Sequence, residues 1–200
     1  MKKNDAFSFL YITSFAFLFT GCFMHNNPSD VSSYHSDSLA IVQTIKNAYR
    51  WNEDTASAPH IEFPLFSKND TILGIDQTEL EKSITLIKKT DLFSNTFLTQ
   101  YRLVAHKIDS CFKKDTATYS DGIPPYGPYD YDLFCDCQDG PDDPIASMQF
   151  DSLKISDTSA SLVWKWKEWN DKAPYYIKLV KENNHWKIAN LLGLDELPNY

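Results

Sequence analysis

Tyr175-Tyr176-Ile177-Lys178-Leu179-Val180-Lys181, Glu182-Asn183-Asn184, His185-Trp186-Lys187-Ile188-Ala189-Asn190-Leu191 is the stretch whose reading decides the fold. Ile177 and Leu179 alternate with Lys178 and Lys181 near by, the two-residue period of a half-buried strand. The paired asparagines tolerate positive φ, which a tight hairpin turn requires. The run from His185 to Leu191 then reads as the returning strand. Working backward, Leu162, Trp164 and Trp166 alternate with Lys165 and Lys167 across Ser161–Trp169, and Asn170-Asp171-Lys172 supplies the turn that leads on. Met148–Ile155 reads as a further strand whose alternation slips, so a bulge is expected in it, and Ser156-Asp157-Thr158 turns the chain. Such short connections predict an antiparallel meander of neighbours.

The upstream half changes period. Leu39, Val42, Ile45, Ala48 and Tyr49 recur at helical intervals over Ser38–Trp51, with Ser36 or Ser38 as the N-cap. Residues 54–75 carry Pro59 and Pro64 among alternating Ile61, Phe63 and Leu65, the pattern of an extended edge strand. Asp76-Gln77-Thr78-Glu79 looks like a capped helix start, and Leu80, Ile84 and Ile87 carry that helix to about Lys89. A third helix, capped by Thr90 or Asp91, runs through Phe97, Tyr101, Val104, Ala105, Ile108 and Phe112. Between the helices and the strands, residues 116–144 are rich in Pro, Tyr and Asp and show no period, which predicts a long loop. The expectation is therefore α+β: N-terminal helices packed on a curved antiparallel C-terminal sheet, a cone-shaped roll, in a single domain over residues 38–197.

Residues 1–37 have another character. Lys2 and Lys3 precede an uncharged apolar run, Ala6–Phe19, that is shorter than the roughly 20 residues a spanning helix needs and fits the core of a secretory signal peptide. The segment Leu18-Phe19-Thr20-Gly21-Cys22 that follows resembles a bacterial lipobox, although Phe19 stands where Leu is usual. The resemblance implies cleavage before Cys22 and lipid on its thiol, hence a partner in the membrane itself and a place in the bacterial cell envelope. Residue 23 is Phe rather than Asp, which by the sorting rules of such lipoproteins points to the outer membrane, facing the periplasm. Residues 22–37, polar and rich in Ser and Asn, read as a flexible tether.

The whole chain resembles a family of bacterial lipoproteins of unknown function built on the nuclear-transport-factor-two-like fold, also called the cystatin-like α+β roll. The residues that carry the likeness are the lipobox, the aromatics Tyr49 and Trp51 closing the first helix, Asp130-Tyr131-Asp132-Leu133-Phe134, the Gln138-Asp139 step, and the strand–turn–strand ending at Trp186-Lys187-Ile188. The likeness spans residues 38–194. It implies a fold and a compartment but no reaction.

Charge and cysteines narrow the function. With 19 basic and 27 acidic residues the net charge is −8. An acidic surface repels phosphate backbones, so nucleic acid is not an expected partner. Cys111, Cys135 and Cys137 remain once Cys22 is acylated, and a disulfide from Cys111 to either Cys135 or Cys137 is expected in an oxidising compartment. Cys135-Asp136-Cys137 lacks the redox spacing. The aspartates at 130, 132, 136, 139, 142 and 143 do not follow the EF-hand order, so neither a metal site nor a cofactor is expected.

Three sets of residues are candidates for function. Tyr101, His106 and Asp109 share one helix, and the i,i+3 step from His106 to Asp109 would let a carboxylate orient an imidazole for proton transfer. The plainer reading is an incidental pair on a solvated face. Tyr126, Tyr129 and Tyr131, stiffened by prolines, offer an aromatic recognition surface, or simply a cap on the open end of the roll. Trp164 and Trp166 would line an open cavity, or form the packed face of the sheet. No nucleophile elbow, phosphate loop or zinc-protease motif occurs. The leading expectation is a non-enzymatic module that binds a protein or small ligand. A cavity-based isomerase or dehydratase using His106 and Asp109 stands second, and a periplasmic immunity or inhibitor protein third.

Overall fold

A computed structural model of the chain describes residues 28–53, 61–69, 71–114, 134, 140–168, 174–191 and 194. Helix α1 (Pro28–Glu53) leads. A small hairpin of β1 (Leu65–Lys68) and β2 (Thr71–Ile75) follows, then α2 (Gln77–Lys89), α3 (Asn95–Lys114) and the single turn α4 (Pro144–Ser147). The chain ends in β3 (Met148–Ile155), β4 (Ser159–Trp166), β5 (Tyr175–Glu182) and β6 (His185–Leu191). These four form one antiparallel sheet in sequence order, β3-β4-β5-β6, as the short connections predict. The α+β class is therefore present: helices first, an antiparallel sheet last.

Both irregularities expected of the strands have a local cause. In β3 the pairing with β4 shifts between Phe150 and Ser152, leaving Asp151 as the extra residue. That shift lets Leu153 and Ile155 rejoin Met148 and Phe150 on the inner side. At the β5–β6 turn Asn183 and Asn184 adopt φ of 52° and 64°, the left-handed pair of a tight hairpin. A second shift, between Lys178 and Leu179, makes Ala189 an extra residue in β6.

Three boundaries differ from the sequence reading. Helix α1 starts at Pro28, not Ser38, so residues 28–37 of the expected tether are helical. The cause is anchorage: Asp37 accepts bonds from Lys181 Nζ at 2.9 Å and Trp186 Nε1 at 2.8 Å, tying this turn to the sheet. The buried face of α1 is Ile41, Ile45, Ala48 and Tyr49, while Leu39 faces solvent. The third helix is capped by Ser94, whose Oγ accepts from Phe97 N–H at 3.1 Å, and Thr90 instead closes α2. Leu92–Ser94 are withdrawn from the helix because they pair with β6: Ile188 N–H donates to Leu92 O and Ser94 N–H to Ile188 O, both at 2.9 Å. Finally, the extended segment 54–75 contains the β1–β2 hairpin, turned at Asn69 with φ 51°, which packs on α3.

The core lies between the helices and one face of the sheet. Ile41, Ile45, Leu80, Ile87, Phe97, Leu162, Ile177 and Leu179 are almost wholly buried there. Burial of aliphatic and aromatic area on this scale drives the assembly.

Candidate functional site

The sheet sorts its residues by register. On the inner side Ile155, Ala160, Leu179 and Ile188 pair in a line across all four strands, and Leu153, Leu162, Ile177 and Leu191 form the next such line. Trp164 and Trp166 stand beside them with no exposed surface, their rings edge-to-face at 4.7 Å. Tyr49 of α1 meets Trp166 at 5.5 Å, and Phe134 meets Tyr49 at the same distance. Aromatic rings thus fill the space between α1 and the sheet. Trp164 and Trp166 are the packed face, not the lining of an open cavity.

The candidate proton-transfer residues do not converge. Tyr101 is fully buried, stacked on Phe63 at 4.8 Å, and its hydroxyl donates to the backbone carbonyl of Glu62. Burial pushes its phenol well above the usual range, so it stays protonated. His106, five residues on, is exposed. Asp109 is occupied structurally: Oδ1 accepts from Ile75 N–H at 3.0 Å and Oδ2 from Lys113 Nζ at 2.6 Å. Burial pushes its carboxyl up, but the bonds from Lys113 and Ile75 more than offset that and hold it below the ordinary range. Asp109 is thus the clamp between α3 and the small hairpin. Gly74 makes the clamp possible, because a Cβ there would sit 2.3 Å from Asp109 Oδ1, and its φ of 148° disfavours any other residue.

Several candidates fall outside the described residues: Cys22, Cys135, Cys137, Tyr126, Tyr129 and Tyr131. Cys111 is half-buried near the end of α3. Among the described residues no group of His, Cys, Asp and Glu is arranged to hold a metal ion, and no helix is long and apolar enough to cross a membrane.

Two clefts remain. One, of about 560 Å³, lies between α1, residues 90–92 and the β5–β6 turn. Its charges satisfy one another. Lys181 is held by Asp37, while Lys187, nearly buried, donates to Asp91 at 2.6 Å with Glu182 at 3.8 Å. Hydrogen bonds from these lysines lower the Asp37 and Asp91 carboxyls. This cleft is a seam between helix and sheet.

The other cleft, of about 590 Å³, lies on the outer side of the sheet. It falls in the size range of small-ligand sites. Its floor is a line of residues in register across the four strands: Lys154, Ser161, Lys178 and Asn190. Thr96 and Gln100, one turn apart on α3, form a wall. Ser156 and Ser159 close one end, held rigid by a hydrogen bond of 2.7 Å between their hydroxyls. Among the described residues no carboxylate lines the groove.

Sequence reasoning did not find this groove. The alternation marks Ser161 and Lys178 as outward-facing, but counting back from the Asn183-Asn184 turn pairs Lys178 with Ala189. Only the extra residue in β6 brings Asn190 into line. Comparison with protein-family models, curated proteins and solved structures finds no match.

Proposed function

We propose that the chain is a cell-envelope lipoprotein, anchored in the outer membrane by lipid on Cys22, whose domain is a non-enzymatic binding module of the nuclear-transport-factor-two-like kind. The observation that carries the binding reading is the filled interior. Trp164 and Trp166 close the space between α1 and the sheet where a cavity-based enzyme needs a reactive pocket. His106 and Asp109 then have no substrate chamber to serve among the described residues, and the open concave surface is the polar groove outside the sheet. The lipobox at Leu18–Cys22 supports the anchorage.

The test is metabolic labelling with palmitate in a bacterial host, comparing the native chain with Cys22→Ser. The native chain should take up label and sediment with membranes, and the variant should do neither. Equal labelling of the two would remove the anchor. For the binding reading, His106→Ala and Asp109→Asn should leave ligand capture by the folded chain unchanged, and loss of a turnover activity in either would restore the enzyme.

A further inference from the structure

We propose that the exposed face of α3, from Thr99 to Lys114, rests on an anionic lipid bilayer, with Lys107 and Lys114 meeting the headgroups and Leu103 entering between them. This inference rests on the lipid-anchor reading and says which side of the anchored domain meets the membrane.

The anchor is short. Six Cα steps separate Cys22 from Pro28, where α1 begins, and fully extended chain covers about 3.6 Å per step, so roughly 22 Å at most separates the lipidated residue from the helix. The 26 residues of α1 themselves span about 39 Å. The domain is therefore held closer to the bilayer than its own length. Its anchored end also lies beside the start of α3. Asp37, in the front part of α1, accepts from Lys181 and Trp186, and Asn95, the first residue of α3, donates its N–H to Glu182 Oε1 at 3.3 Å. Both helices thus set out from the β5–β6 turn. An anchor arriving there lets the roughly 30 Å of α3 lie along the surface.

Charge selects the side. Thr99, Leu103, His106, Lys107, Ser110 and Lys114 recur at three- and four-residue steps and are all exposed, so they form one stripe along α3. The stripe holds no carboxylate. The acid that α3 carries, Asp109, is buried and bound to Lys113 and to Ile75 N–H. Glu81 of α2 is held by Arg102 Nε and Nη2 at 3.1 and 3.0 Å. Lys107 and Lys114 have no ion-pair partner among the described residues. In a chain of net charge −8 this stripe is a local reversal of sign. Charges farther from a bilayer than a Debye length of about 8 Å are screened, so a bilayer in contact with the stripe meets its lysines before the acidic remainder.

Apolar exposure falls on the same helix. Leu103, in the middle of the stripe, is 48% exposed. The elements packed on α3 carry more: Leu86 of α2, and Phe66 and Leu73 of the hairpin, are exposed as well. An apolar side chain set among lysines is the composition of an interfacial helix, in which the cations take the phosphates and the apolar group takes the acyl boundary. An acidic protein would use the lysines and leave Leu103 idle. Because the lipid already holds the domain at the surface, this face has only to fix its orientation, and few contacts suffice.

The experiment reconstitutes the mature acylated chain into vesicles of phosphatidylcholine and into vesicles that also contain phosphatidylglycerol, acetylates its amines briefly and reads each lysine by mass spectrometry. Lys107 and Lys114 should react about fivefold more slowly on the anionic vesicles, the worth of one lysine at such a surface, and high salt should restore their rates. Lys46 lies over Phe150 of β3, at the opposite border of the sheet from the strand that α3 packs on, and should react alike on both. Leu103→Glu should abolish the difference between vesicles while leaving the thermal midpoint unchanged, because the position is exposed. The proposal is overturned if Lys107 and Lys114 react equally on the two kinds of vesicle, if Lys46 is slowed as much as they are, or if Leu103→Glu keeps the protection. A chain that takes up palmitate while these lysines stay reactive loses the membrane-facing side and keeps the anchor. A chain without palmitate whose lysines are protected by added phosphatidylglycerol vesicles loses the anchor and keeps the surface.

Discussion

On the inner side of the sheet the residues aligned across the strands are Ile155, Ala160, Leu179 and Ile188. One residue over, on the outer side, they are Lys154, Ser161, Lys178 and Asn190. The same four strands thus carry an apolar surface and a polar one. Near the core each buried charge already has a partner inside the protein, as Asp109 has Ile75 N–H and Lys113, and Lys187 has Asp91. In the outer groove the hydroxyls, amides and ammonium groups line a space large enough for another molecule. Apolar packing is concentrated on one side of the sheet and an open polar groove on the other, and mutations should separate the two.

The largest effect should come from the packed side. Trp164→Ala removes a wholly buried indole from between Trp166 and Tyr175, which should cost about 3–5 kcal/mol in denaturant unfolding. A cost below 1 kcal/mol would mean that the inner side is not the core. Gly74→Ala should follow, at about 2–3 kcal/mol, because the new methyl collides with Asp109 Oδ1 and the φ of 148° strains any side chain. Combining it with Asp109→Ala should recover part of the loss, and a strictly additive double variant would argue against that collision.

Acid should act on the polar bonds that tie the helices to the sheet and to the hairpin. The Asp37 and Asp91 carboxyls are lowered by hydrogen bonds from Lys181 and Lys187; Asp109 is lowered by Lys113 and Ile75 against the opposing effect of burial. A depressed carboxylate stabilises the fold fully above its unfolded value, about 3.9, and that contribution is lost as the pH falls through the folded value. The unfolding midpoint should therefore hold down to about pH 4 and drop as the pH falls further. Asp37→Asn should flatten part of that drop and cost about 1 kcal/mol at neutral pH. The smallest effect belongs to the outer side. Ser161→Ala should change stability by less than about 0.5 kcal/mol, and a larger loss would make the groove floor structural.

How far the sequence predicts this arrangement depends on the range over which each cause acts. The meander, the bulge in β3 and the Asn183-Asn184 turn rest on alternation and local φ preference, and all three are legible in a handful of adjacent residues. The start of α2 is legible for the same reason, since Asp76 Oδ1 caps it at Thr78 and Glu79 N–H within three residues. The start of α1 is not. Residues 28–37 have a tether's composition, and what orders the turn at Asp37 is Lys181 and Trp186, some 150 residues away in the chain. Likewise Thr90 and Asp91 look like good caps for the third helix until Leu92–Ser94 pair with Ile188. His106 and Asp109 have the spacing of a catalytic pair, but the spacing cannot reveal that the Ile75 backbone already occupies the carboxylate. The groove floor hides behind one extra residue, Ala189, because an unbulged register leaves Asn190 out of the line.

The attachment of Leu92–Ser94 to Ile188 has one more consequence. An open sheet ends in two strands whose unpaired amides and carbonyls can recruit a strand from a neighbouring molecule and begin a fibre. At β6 that invitation is withdrawn, because a parallel bridge at Phe93 occupies the middle of its free border. At the far border β3 is kinked by its extra residue, Asp151, and Tyr34 of α1 donates to the carbonyl of Leu153. Crowded against its own copies, the folded protein should therefore stay dispersed rather than polymerise through its sheet.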